Sequence, residues 1–511
     1  MQRVRPAHTF SRHCLAGLAW RFGYRMMLWV YSWLMWLAQP FLRRKLLRRS
    51  VQEPGYGQYI EERFGRYAQP VPAHDGPTLW LHAVSLGETR AAAVLITALR
   101  QQLPQMRLLL THGTATGRAE GVKLLEVGDL QAWQPWDTPG AVQRFLTHFK
   151  PTLGILMETE VWPNLAHGCQ RLGVPLVLVN ARLSDKSLRQ AQRLAWLARP
   201  AFAALTGVWA QTPQDAQRLQ SLGAKVQGVL GNLKFDAAPN AAQLAQGQQW
   251  RAQLSKPVAM FASSREGEEQ ALLEILHHAT NHRPEGGPPT RDGTPTRDGT
   301  PTRNETPARS GAPVGAAPSP RLPDSFAMTS LSQVQWLIVP RHPQRFDDVA
   351  ALIESHGFTV QRRSSWGQGG PASVADEKPV IWLGDSLGEM ALYYGLADVA
   401  LLGGSFEPLG GQNLIEAAAC GCPVVMGPHT FNFLDAAEQA QAAGAALRVA
   451  DLGQAVAGLN ALLCDDTLTT ARQGAKRFAQ SHQGAAQRLA EVLVSEISHG
   501  VLYAFDDIIK P

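Results

Sequence analysis

Ten short runs of unbroken apolar residues constrain this chain more than any other feature. Five come early: "PTLWLHAV" (77–84), "MRLLLTHG" (106–113), "LGILME" (153–158), "VPLVLVNAR" (174–182) and "GVWAQ" (207–211). Five follow later: "PVAMFASS" (257–264), "QWLIVPRHP" (335–343), "PVIWLGD" (379–385), "DVALLGGS" (398–405) and "CPVVMGP" (422–428). A strand with one wet face alternates apolar and polar residues, whereas a strand covered on both faces reads as a continuous apolar run. Amphipathic stretches separate these runs, so they predict parallel sheets covered by helices on both sides. Two sets of runs in 511 residues predict two βαβ domains in tandem, joined near 236–250. The expected division is 1–49, 50–238 and 239–498. The default ligand site is the cleft between two such domains.

One stretch does not fit a core. "PPTRDGTPTRDGTPTRNETPARSG" (288–311) is a six-residue quasi-repeat almost without apolar side chains. It cannot repay the entropy of ordering, so about 284–325 reads as a disordered surface loop inserted in the second domain.

The net charge of +6 is concentrated at one end. Residues 1–50 hold ten Lys or Arg and no acid; the remainder holds 38 basic against 42 acidic residues, a net of −4. A nucleic-acid-binding body is therefore not expected. The same segment carries an uncharged run from Met26 to Leu42, with Arg25 before it and Arg43, Arg44 and Lys45 after it. Trp29, Trp33 and Trp36 suit the headgroup region, and the basic flanks suit anionic lipids. This predicts an N-terminal membrane anchor, as a single span or an in-plane helix. A buried core helix is the competing reading, because seventeen residues is short for a span. The five cysteines are few and scattered, which points to a reducing compartment without a disulfide framework. Cys420-Gly-Cys422 lacks the second pair of a zinc site.

Seven polar clusters sit just past apolar runs, where open α/β sheets bind ligands. They are "SLGE" (Ser85–Glu88), "METEVWPN" with Glu158 and Glu160, "NARLS" with Arg182, "GNLKFD" with Lys234, and "ASSREGEE" (262–269). The last two are "VPRHPQRF", with Arg341, His342 and Arg345, and "GGSFEPLGGQN", followed by a helix containing Glu416. Glycine-rich turns ahead of helices present backbone N–H groups to a phosphate, and Arg or Lys add charge for an anion. No Walker loop, GxGxxG or DxD pattern is present, so no nucleotide-bridging metal is required. Each cluster also has a plainer reading. Glu88 suits the positive end of a helix, Glu158 and Glu160 can act as caps, and Arg341 and Arg345 can be a solvated pair.

"HAVSLGE", "METEVWPNL", "NARLS", "GNLKFD", "EGEE", "VPRHPQRF", "GDSLGEM", "GGSFEPLGGQN" and "GPHTFNF" stand in the order and approximate spacing of the 3-deoxy-D-manno-octulosonic acid (Kdo) transferases. Over about 20–490 the chain resembles that family, and the N-terminal apolar, basic segment followed by "ERFG" (62–65) is similar to its membrane-anchoring region. The resemblance implies a GT-B glycosyltransferase fold: two Rossmann-like domains facing a cleft, with an N-terminal membrane-anchor helix. It implies inverting, metal-independent transfer of Kdo from CMP-Kdo to the lipid A precursor (lipid IVA), in lipopolysaccharide inner-core synthesis at the cytoplasmic face of the inner membrane, with no cofactor. By the resemblance Glu88 is the catalytic base and Glu160 a second active-site acid. Lys234, Ser263, Ser264, Arg341, His342, Gly410, Gly411, Asn413 and Glu416 fall at donor positions. Ser85 and Arg182 fall at acceptor or anion contacts. The chain departs from the family at Ser263-Ser264-Arg265, where Ser-Thr-His is usual, and at Gln412, where His is usual. The rival readings are another GT-B enzyme with a different nucleotide sugar (a UDP-sugar transferase or epimerase), and a tethered sugar-nucleotide-binding protein without catalysis. Oligomeric state is left open.

Overall fold

A computed structural model describes residues 12–281, 334–371 and 379–506, and the expected loop at 284–325 lies outside them. The chain forms two compact units. One takes in the chain up to Ala237 and again from Ser481; the other is Ala238–Gln480.

The first unit is built on seven parallel strands: β1 (Thr78–His82), β2 (Arg107–His112), β3 (Leu130–Trp133), β4 (Leu153–Met157), β5 (Leu176–Ala181), β6 (Gly207–Ala210) and β7 (Val226–Val229). Their order is β3-β2-β1-β4-β5-β6-β7, so the winding reverses between β1 and β4. Leu79 and Leu81 feed the core on one face of the sheet, and Trp80 feeds the core on the other. This is why the runs are continuously apolar: both faces are covered.

The second unit repeats the plan with β8 (Val258–Ser264), β9 (Gln335–Pro340), β10 (Thr359–Arg362), β11 (Val380–Leu383), β12 (Val399–Leu402), β13 (Val424–Met426) and β14 (Ala446–Arg448). The order is β10-β11-β9-β8-β12-β13-β14, and the winding reverses between β8 and β12.

All ten apolar runs contain a strand. The four strands that the runs do not announce are β3, β7, β10 and β14, which are the edges of the two sheets. Residues of β7, β10 and β14 are half buried or exposed, so a continuous apolar run is not required of them, while β3, mostly buried, is interrupted by half-buried Gln131.

Two expectations need correction. The helix Ala485–Asp506, expected through residue 498 in the second domain, belongs to the first unit. Its stripe of Ala486, Leu489, Ala490, Leu493 and Ile497 packs into the core that contains Leu95, Ile96 and Leu99. Asp236 holds the start of this return by accepting from the N–H groups of Gly484 and Ala486.

The single-span form of the anchor is the other. Among the described residues no helix is long and apolar enough to cross a membrane. The N-terminal helix, Arg12–Gln52, instead has two faces. Leu28 and Leu46 are buried and Tyr31 and Ser32 half buried, at helical spacing, while Trp29, Trp33, Trp36 and Phe41 are exposed. The Ser32 hydroxyl donates to Asn164 Oδ1 at 2.9 Å. Tyr31 hydrogen-bonds buried Asp137, which accepts from the N–H groups of Asn164 and Leu165 at 3.0 and 2.8 Å. The helix is thus welded to the start of helix Pro163–Leu172 along one face. The full core-helix reading fails as well, because the opposite face is open.

Candidate active site

At the reversal in the first sheet, β1 runs into the turn Ala83–Ser85 and the helix Leu86–Gln102. Ser85 is the N-cap and Glu88 the third helical residue, which is the spacing of a capping box. Ser85 Oγ accepts from Glu88 N–H at 3.4 Å and donates to Glu88 Oε1 at 2.9 Å. Glu88 Oε2 accepts from Val84 N–H at 2.9 Å. Those hydrogen bonds favour the carboxylate, yet the group is pushed up to about 7. Burial is the main cause; the charge of Glu158 is next and that of Glu160 smaller.

Both of those acids follow the neighbouring strand β4. Glu158 has a left-handed backbone (φ 59°), rare for a residue with a side chain. It is held there by its own N–H donating to Val179 O and by Arg182 N–H donating to its carbonyl. Glu160 Oε2 accepts from Trp162 Nε1 at 2.9 Å, and burial raises its pKa. Lys234, on the short turn Leu233–Asp236, places Nζ 3.4 Å from Glu158 Oε1. Ser85, Glu88, Glu158, Glu160 and Lys234 therefore form one constellation within the first unit. Arg182, half buried at the end of β5, adjoins it through its backbone.

The second unit has its own constellation at its own reversal. Ser263, next to last in β8, has φ 55°, and Gly403 follows β12. A Cβ on Gly403 would lie 2.3 Å from Ser263 O, so only glycine allows the two strand ends this close. Glu268 binds the loop together, accepting from Arg265 N–H at 2.9 Å and from Gly404 N–H at 2.8 Å. Ser264 is fully buried and its hydroxyl donates to Glu269 Oε1 at 2.8 Å. Arg345 closes on the same carboxylate with both Nη groups, at 2.8 and 3.2 Å. Ser264 and Arg345 thus form an internal tie rather than an open contact.

Arg341 and His342 are exposed beside this tie. The His342 pKa is lowered by burial and then by Arg265, Arg341 and Arg345. A histidine depressed by three guanidinium groups marks a field suited to an anion. Gly410 and Gly411 have φ of 89° and 74°, and Asn413 caps the short helix Leu414–Ala419 by accepting from Ile415 N–H at 3.2 Å. Glu416 is half buried within that helix.

Residues 58–237 match the family model described as 3-deoxy-D-manno-octulosonic-acid transferase (kdotransferase). A 3-deoxy-D-manno-octulosonic acid transferase of Bordetella pertussis is 41% identical over 479 residues, covering 92% of this chain and 96% of the relative. The chain belongs to the Kdo transferase family. The transferase is also 29% identical to the Haemophilus influenzae protein of the same name, over 94% of this chain and 100% of that one. The crystal structure of the C-terminal CMP-Kdo binding domain of WaaA from Acinetobacter baumannii aligns with 26% identity and a TM-score of 0.34, covering 47% of this chain and all of that one.

Sequence reasoning left three residues of the transferase without a role. Glu158 was visible in "METE", but only its φ and its neighbours single it out. Glu268 stood in "EGEE" as one polar group among several. Asn180, in "NARLS", is buried with φ 51°, and its Oδ1 accepts from Leu233 N–H at 3.1 Å. Nothing in a linear sequence announces a contact across 53 residues.

Proposed function

We propose that the transferase moves Kdo from CMP-Kdo to a hydroxyl of the lipid A precursor, in lipopolysaccharide inner-core synthesis, with Glu88 as general base. What carries the reading is Glu88 itself: a carboxyl at a sheet's reversal point, raised to about 7, where a base is most useful near neutral pH. A sugar hydroxyl becomes a competent nucleophile as Glu88 takes its proton. The Kdo anomeric carbon gains positive character as the CMP phosphate departs, and direct displacement by the hydroxyl inverts it. Glu160 lines the same site as a second acid.

Donor binding is assigned to the second unit. Arg341 supplies cationic field for the phosphate, His342 a neutral imidazole N–H beside it, and the turn of Gly410, Gly411 and Asn413 supplies backbone N–H groups. Glu416 is suited to accept from ribose hydroxyls, and Ser263 completes the edge. The GT-B arrangement, with two such domains facing a cleft, is part of this reading. So is an in-plane membrane role for the N-terminal helix, with Trp29, Trp33 and Trp36 in the headgroups at the cytoplasmic face of the inner membrane and the basic residues against anionic lipid.

The test is transfer by purified protein from CMP-Kdo to a lipid A precursor, with the number of Kdo units read by mass spectrometry. Glu88→Gln is run beside the wild type. Mass gain with wild type and its loss in the folded variant supports the reading. Transfer from a UDP-sugar instead, or full activity of Glu88→Gln, overturns it.

A further inference from the structure

The mechanism above leaves Glu158 and Asn180 unused and sets Lys234 apart from the donor positions where the resemblance put it, and the structure ties the three into one chain of contacts. Two of them, Glu158 and Asn180, hold left-handed backbones at the carboxyl ends of adjacent strands. Such strain persists only where surroundings over-determine it, and it gathers at functional sites. Asn180 does more than turn the strand. Its side chain accepts from Leu233 N–H, and its carbonyl accepts from Gln211 Nε2 at 2.9 Å. The turn Leu233–Asp236 is pinned at its other end by Asp236, which binds the start of the C-terminal helix. Asn232 Oδ1 further accepts from Lys234 N–H at 3.0 Å. A backbone pinned at three points delivers one ammonium group to Glu158.

We propose that Lys234, set in place by Asn180, is a positioning residue for the base: its ammonium pairs with Glu158 and keeps that negative charge from bearing fully on Glu88. The inference rests on the assignment of Glu88 as base. Glu88 bears the charges of Glu158 and Glu160 on the loop after β4, and is hydrogen-bonded by Ser85 from its own turn. Arg182, at the end of β5, binds the Glu158 carbonyl through its backbone N–H. Arg90 on its helix pairs with Glu120, and Arg118 on the neighbouring helix pairs with Glu62. Buried His82 and His112 are held down to about 3 and 4, and so are neutral at working pH. Lys234 is thus the cation seen paired with the acid that loads Glu88. Without it, Glu88 holds its proton more tightly and ceases to act as a base at a higher pH.

The experiment is the pH profile of kcat/KM with CMP-Kdo and purified lipid acceptor, for Lys234→Met, Lys234→Arg, Asn180→Ala and Glu158→Gln, with thermal melts as a folding control. Lys234→Met and Asn180→Ala should move the acid limb up by about half a pH unit or more, on the scale of charge effects at such distances. Lys234→Arg should leave it near the wild-type position. Glu158→Gln should move it down, and in that background Lys234→Met should add no upward shift. Acid limbs that coincide with wild type overturn the inference, as does Lys234→Arg shifting as far as Lys234→Met. If Asn180→Ala does not fold, the Lys234 pair and the double variant decide. Absence of transfer by the wild type overturns the functional reading instead, so the two failures are distinct.

Discussion

Ser85 and Glu88 cap one another: the serine hydroxyl donates to the carboxylate at 2.9 Å and accepts from the same residue's N–H at 3.4 Å. The capping role and the proposed role of Glu88 as base therefore fall on one side chain. To take a proton on Oε1, the carboxylate must let the Ser85 hydroxyl turn away, while Oε2 stays on Val84 N–H. In the proposed reaction the cap aims the base until an acceptor binds.

Glu88→Gln should lower kcat by about 10²–10⁴-fold, the usual contribution of general base catalysis. Its fold should survive, because glutamine also serves at that position of a capping box. The sign of the stability effect follows from linkage. A carboxyl raised above its unfolded value stabilises the fold below the unfolded pKa, and that contribution is lost as pH rises through about 7. A melt at pH 8 should therefore find Glu88→Gln no less stable than wild type, while steady-state assays find the loss of kcat.

Asp137 should matter to the attachment of the N-terminal helix. It is buried, raised to about 6, and holds Asn164 N–H, Leu165 N–H and Tyr31 together. Asp137→Ala strands those donors and should cost about 2–4 kcal/mol, seen as a lower denaturant midpoint. Tyr31→Phe should cost less, about 1 kcal/mol, since one neutral hydrogen bond is lost.

Arg345→Ala should unfold the second unit more readily than any exposed charge change there. Glu269 is wholly buried and held by both Nη groups of Arg345. Removing one partner of such a pair costs about 3–5 kcal/mol. Arg345→Lys should recover only part, because an ammonium cannot make the same two-pronged contact. Guanidinium unfolding of the full chain measures both.

Gly403→Ala should be poorly tolerated. The added methyl would meet Ser263 O at 2.3 Å and Ser264 N at 2.7 Å, backbone atoms with no room to yield. Forcing that contact should cost about 1–3 kcal/mol, the range for overpacking. It should also weaken binding of CMP in titration calorimetry, since both residues edge the assigned donor site.

The triple change of Trp29, Trp33 and Trp36 to Ser should release the protein from anionic vesicles in a flotation assay. These rings are exposed along one face of the N-terminal helix. Each tryptophan lost from a headgroup layer removes on the order of 1 kcal/mol or more of apolar burial, so three together should weaken partition at least tenfold. The melt should be almost unchanged, because the face that packs on the first unit is left intact.

Particular residues show how far a linear reading reaches. Trp80 and Leu81 announce β1 because its two sides are both buried, and period-two burial is then visible as an unbroken apolar run. Thr359–Arg362 announces nothing, because an edge strand is half wet and its pairing comes from a neighbour. "SLGE" reads as a cap and, by the resemblance, as a base; the structure finds the cap with the carboxyl still raised. Ser264 looked like a donor contact, yet its hydroxyl is spent on Glu269. The motif was legible; the direction of each side chain was not.

By itself the sequence determined the class of fold, the family, the strand ends where polar clusters gather, and the apolar, basic character of the N-terminal segment. These depend on local patterns: which residues must be dry, which turns need glycine, which acids begin a helix. Tertiary structure alone decided that the C-terminal helix returns to the first unit, that the N-terminal helix is half docked and half open, and that Lys234 reaches Glu158 from 76 positions away. Such facts depend on which stripes find cover and on the fields that buried charges exert on one another, and both exist only once the chain has closed on itself.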